Sequence, residues 1–300
     1  MKAEQAFELT GHQNPIFSAE LSQKPGLLFT GGNDKGVVEW SLTKQEFIKV
    51  MFQVPGSVYA IHCPVGLPLM FVGLRNGQVL VFNFIEQKII TTLKQHTKPI
   101  FDIKSIADKG ELLIASEDGS VSVWNLKDLN LLHTIKISTD TIRSIAISPN
   151  QKQMAIGCRD NNVQVYHTDD YAPLSTLYGH TMAVFTTQYT NDGRYILSGG
   201  RDAQVKIWDT TTFELVKSIP AHLFAVNHIL AHPTLPYFAT ASMDKSIKIW
   251  GADDFKLYKI ISREKGYACH LLSINKLAWV GDQLISVSDD KRVLGWDIEF

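Results

Sequence analysis

Seven aromatic residues stand in register along this 300-residue chain. Trp40, Phe82, Trp124, Tyr166, Trp208 and Trp250 follow one another at intervals of 42, and Trp296 closes the series after 46. A period of that length marks a repeated supersecondary unit that buries its apolar face only by stacking on copies of itself. The stretch 198–209, SGGRDAQVKIWD, displays one unit's centre: a strand end, a polar turn carrying Asp202, and a second strand closed by Trp208-Asp209. Two short strands about an Asp turn read as a β-hairpin. Breaker clusters such as Lys24-Pro25-Gly26, Pro149-Asn150 and Asn191–Gly193 separate further short strands, with no helical periodicity between units. The chain is therefore expected to be all-β, and no linker or low-complexity run divides it.

The columns of the repeat carry physical content. Three residues before each aromatic stand Val37, Val79, Val121, Val163, Val205, Ile247 and Val293. A β-branched apolar residue in every unit suits a buried strand. Six residues before it stand Asp34, Asn76, Asp118, Asp160, Asp202, Asp244 and Asp290, side chains that cap turns by accepting from nearby N–H groups. Twenty-eight before it come His12, Val54, His96, Ser138, His180 and His222, with Ala268 or His270 in the longer seventh unit. Ten before it come Thr30, Val72, Ile114, Ile156, Ser198, Thr240 and Ser286.

Gly-His, Asp and Trp-Asp at these intervals resemble the WD-repeat family. That resemblance covers the whole chain and implies one domain, residues 1–300, folded as a seven-bladed β-propeller of four-stranded antiparallel blades. It further implies a buried hydrogen-bonded relay in each blade with a complete set. Those sets are His12, Thr30, Asp34 and Trp40; His180, Ser198, Asp202 and Trp208; and His222, Thr240, Asp244 and Trp250. The second and fourth units have exchanged most of the relay for apolar residues, and the third has Ile114 in the hydroxyl column. Recognition of fewer than seven repeats is expected. After the third strand of the last unit the outer strand is still missing, so residues 3–9 are expected to supply it and close the ring.

Charge and composition narrow the function. A net charge of −1 disfavours a general polyanion surface, so nucleic acid is not expected as a partner. No apolar run approaches a membrane span, the N-terminus lacks a signal-peptide core, and three unspaced cysteines form neither a disulfide framework nor a zinc set. A soluble cytoplasmic chain without cofactor or metal is the expectation. One His per unit places the histidines around a ring rather than about one substrate, so they read as structural and the chain as no enzyme.

Binding is then the expected activity. By the resemblance, two columns line the face carrying the His loops and Asp turns, here called the top. One holds Phe17, Tyr59, Phe101, Arg143, Phe185, Asn227 and Ser273; the other holds Asn33, Arg75, Glu117, Arg159, Arg201, Met243 and Asp289. Phe17, Tyr59, Arg75, Phe101, Arg143, Arg159, Phe185 and Arg201 are the candidate partner-binding residues, being the aromatic and arginine types enriched in interface hot spots. The plainer reading makes the aromatics strand packing and the arginines solvated loop charges. The favoured function is a noncatalytic scaffold, alone or within a larger complex, binding a protein or peptide with an acidic or phosphorylated group. The alternative is a small-ligand-binding or catalytic propeller using the central channel. Ile61, Ile103, Ile145 and Ile229 suggest an apolar channel, and an acid–base cluster there would favour the alternative.

Overall fold

The computed structural model describes residues 1–300. Seven four-stranded antiparallel sheets stand around a central channel, and the only helical pieces are two three-residue 3-10 turns. Blade one is built from Ile16–Leu21, Leu27–Gly32, Gly36–Ser41 and Glu46–Gln53, counted from the innermost strand outward. Blades two to six repeat this order, with inner strands Val58–His62, Ile100–Ile106, Ile142–Ile147, Val184–Tyr189 and Val226–Ala231. In blade seven the inner strand is Ile274–Val280, and the outer position is taken by the N-terminal strand Lys2–Leu9, antiparallel to Val293–Glu299. Ala3, Phe7 and Leu9 of that strand are buried, so the ring is closed by apolar packing as well as by backbone bonds.

The cores lie between blades. The β-branched column from Val37 to Val293 is at most 1% exposed in all seven blades. Leu197, Val205 and Ile207 of blade five pack with Val226, Ile229 and Phe238 of blade six in one such core. Between them Gly199 has no room for a side chain: a Cβ there would lie 2.8 Å from Val226 Cγ1. The period therefore reflects stacking of identical faces, each blade covering what its neighbour leaves open.

Two backbone features recur and position the upper face. The residue after each turn Asp or Asn adopts positive φ, from Lys35 through Gly77 to Lys291. A β-bulge interrupts every inner strand, and its extra residue is Phe17, Tyr59, Phe101, Arg143, Phe185, Asn227 or Asn275. Bulges twist a strand locally and re-aim the side chain they carry.

Candidate functional site

Five blades hold a buried relay. In blade five His180 Nδ1 donates to Asp202 at 2.9 Å, its Nε2 accepts from Ser198 Oγ at 2.8 Å, and Ser198 accepts from Trp208 Nε1 at 2.8 Å. This direction makes each group donor or acceptor according to its capacity, with the imidazole neutral. His12–Asp34–Thr30–Trp40 and His222–Asp244–Thr240–Trp250 repeat it with bonds of 2.6 to 3.0 Å. Blade seven uses His270, Asp290, Ser286 and Trp296, so His270 rather than Ala268 takes the uncertain place. In blade three Ser122 replaces the hydroxyl that Ile114 lacks, bridging His96 and Trp124 at 2.8 and 2.9 Å. Blade four retains only Ser138 donating to Asp160. Burial opposes ionisation of Asp118, Asp202, Asp244 and Asp290, yet the hydrogen bonds they accept from their histidines hold all four below the usual carboxylate range. Burial keeps His12 and His222 below the ordinary imidazole value against the pull of Asp34 and Asp244.

The relay also shapes the surface. Asp202, Asp244 and Asp290 each accept the backbone N–H that follows the histidine, from Thr181, Leu223 and Leu271. Those bonds fix three loop tips, Thr181-Met182, Leu223-Phe224 and Leu271-Leu272, with Leu223 79% and Phe224 61% exposed. A second recurrent bond joins the two top-face columns. The N–H before each turn Asp or Asn donates to the carbonyl two residues before the bulge, as in Arg159 to Thr141 and Arg201 to Ala183, both at 2.8 Å. In blade seven the pair is Asp289 and Ser273. Ser273 therefore does not stand in the inner column; Asn275 does. The seventh unit gains six residues between Trp250 and the bulge and loses two at the tight turn after Val280, so counting back from Trp296 misplaces it.

Five of the bulge residues form one continuous stack. Phe17 meets Tyr59 at 5.3 Å between centroids, and Tyr59 meets Phe101 at 5.4 Å. The Arg143 guanidinium lies 4.3 Å over Phe101 and 4.8 Å from the Phe185 centroid. Arg143 is thus held between two rings rather than free in solvent, and burial lowers its pKa while Glu117 opposes that. Asn227 and Asn275 continue the circle by hydrogen bonds, Asn227 Nδ2 donating to Ser273 Oγ at 2.8 Å and Asn275 Nδ2 to the Ile16 carbonyl at 2.7 Å. Arg159 is exposed, 4.0 Å from Asp140. Arg201 borders a shallow cleft between blades five and six with Met182, Leu223, Phe224 and Met243. Arg75 stands exposed in blade two, apart from this group.

The channel departs from the sequence expectation. Ile61, Ile103, Ile145 and Ile229 are buried in the inter-blade cores, because each inner-strand bulge shifts the alternation by one residue. The cavity, about 830 Å³, keeps apolar residues over about half its lining, Ile145 among them, but also carries Glu20, His62, Asp102, Lys104, His228 and Lys276 together with the bulge residues. Most of the acceptors are engaged. Asp102 accepts the Ile103 and Ile145 N–H groups at 3.0 and 2.9 Å, and Glu20 Oε1 accepts from Cys63 N–H and His62 Nδ1, both at 3.1 Å. His62 Nε2 is bonded to Ser105 Oγ. Burial would raise Glu20, but His62 and Lys104 bring it below the usual range. The channel therefore holds charged groups, several of them already engaged by the protein's own donors and acceptors. Column counting missed these residues; marking the bulge first would have exposed them.

Closed ring, relays and hairpin turns together define a seven-bladed propeller built from a repeated unit. The model of the WD domain, G-beta repeat family matches residues 3–41, 87–125, 129–167, 171–209 and 213–251, well over half of the chain, which belongs to the WD40 family. Each matched repeat begins with the outer strand of the preceding blade. Residues 42–86 and 252–300 fall outside the matches; they cover the relay-free second blade and the seventh with its altered spacing. No curated protein matches the chain.

Proposed function

We propose that this propeller is a noncatalytic interaction scaffold whose top face, over blades four to six, binds a protein or peptide carrying an acidic or phosphorylated group beside apolar side chains. The observation that supports it most is exposed Arg201 beside the projecting Met182, Leu223, Phe224 and Met243, with exposed Arg159 on the neighbouring blade four. Guanidinium groups recognise carboxylates and phosphates in bidentate fashion, and apolar loop tips held on a rigid disc lose little entropy on binding. Three free, buried cysteines accord with a reducing, cytoplasmic setting. No helix is long and apolar enough to cross a membrane. The test is capture of binding partners by the wild type and by Arg159→Glu/Arg201→Glu. The doubly reversed variant should fold normally and lose the partner; undiminished capture would move the contact elsewhere, such as the opposite face.

A second reading, ligand binding within the channel, is favoured by the charged lining described above.

A further inference from the structure

The channel's charges do not cancel. Lys104, Lys276 and Arg143 face Glu20 and Asp102, and both Asp102 oxygens accept backbone N–H groups. Lys104 Nζ lies 3.8 Å from Asp102 Oδ1, a loose ion pair that raises the Lys104 ammonium yet leaves its N–H groups without a hydrogen bond. Lys276 Nζ has neither a hydrogen bond nor an ion pair although it lines the cavity. His228 Nδ1 accepts the Leu277 N–H at 3.2 Å, which places the imidazole proton on Nε2 as a further donor. Donors from blades three, six and seven thus meet at the cavity, Lys276 and His228 without acceptors and Lys104 only loosely paired. Burial and the neighbouring Lys104 lower the Lys276 ammonium against the pull of Asp102 and Glu20, and burial with both lysines lowers His228 well below its ordinary value. Like charges gathered in a cavity and only partly relieved by the protein's own carboxylates are a functional arrangement far more readily than a stabilising one.

We infer that the central channel is a binding site for a small polyvalent oxyanion, held by Lys104, Lys276 and the Nε2–H of His228. Excess donors and engaged carboxylates exclude a divalent cation as the natural occupant, since hard cations require free oxygen ligands. A cavity of about 830 Å³ admits a phosphate-bearing or polycarboxylate metabolite but not a folded partner. This site is separate from the exposed arginines and loop tips of the upper face.

The test is isothermal titration of the whole chain with pyrophosphate and, separately, citrate at low ionic strength. Saturable one-to-one binding of pyrophosphate alone would identify a phosphate site, and of citrate alone a carboxylate site; either supports the inference. Lys276→Met keeps the apolar stem while removing an unpaired charge, so it should fold, and it should weaken binding by at least about 10-fold, as should Lys104→Met. Lys127→Met, on the outer surface, should change affinity less than about 2-fold. Binding of neither anion, or equal affinity in folded Lys276→Met, would overturn the inference.

Discussion

Removing Ser198 Oγ tests whether the relays hold their blades together as linked units. Ser198 is fully buried, accepts from Trp208 Nε1 and bonds His180 Nε2, each at 2.8 Å. Ser198→Ala deprives two buried groups of a partner at once. An orphaned buried polar group costs about 1–3 kcal/mol, so a loss of about 2–4 kcal/mol is expected once partial relaxation is allowed for. Trp208→Phe removes one of those groups in advance. In that background Ser198→Ala should cost less, giving a coupling of about 1–2 kcal/mol in a double-mutant cycle. Urea unfolding followed by tryptophan fluorescence and circular dichroism measures all four corners. Additive costs, with a coupling below about 0.5 kcal/mol, would refute the linked relay and reduce it to independent packing.

Phe7→Ala should destabilise by about 3–5 kcal/mol, because the ring is buried against Gly295 in the closing blade. Deleting residues 1–10 should lower the melting temperature further, and an unchanged midpoint for that truncation would contradict closure by the N-terminal strand. Acid should destabilise in two stages. His12, His222 and His228 have folded values below 6.5, so their contribution is complete above pH 6.5 and falls as the unfolded chain takes up protons below it. Asp118, Asp202, Asp244 and Asp290 have folded values below 3.8, so theirs is lost only below about pH 4. Melting temperatures measured between pH 7 and 3 should decline through the first window and more steeply in the second; a rise from pH 7 to 5 would contradict the neutral imidazoles.

The architecture was legible because a propeller writes its geometry into a period: Val37 and its six counterparts must all meet the same neighbouring face. What escaped was local. A bulge shifts side-chain alternation by one residue, so Ile103 and Lys104 exchange the faces that a regular strand would give them. Ser122 took over the hydroxyl of blade three because the neighbouring strand brings it equally close to His96 and Trp124, a substitution invisible to a fixed column. Asn275 was hidden because the gain of six residues and the loss of two fall on opposite sides of it, so counting from either flanking aromatic misplaces it. Arg143 was found by column, but the two rings that immobilise it are a property of the closed circle.

Contact mapping with a photoreactive amino acid tests the proposed binding surface most directly. Benzoylphenylalanine would replace Phe224 on the upper face or Ile85, 77% exposed at the turn between the third and fourth strands of blade two on the opposite face. Irradiation of the complex should join the partner to position 224 and leave position 85 unlinked. Crosslinking from position 85 with none from position 224 would contradict binding at the top face.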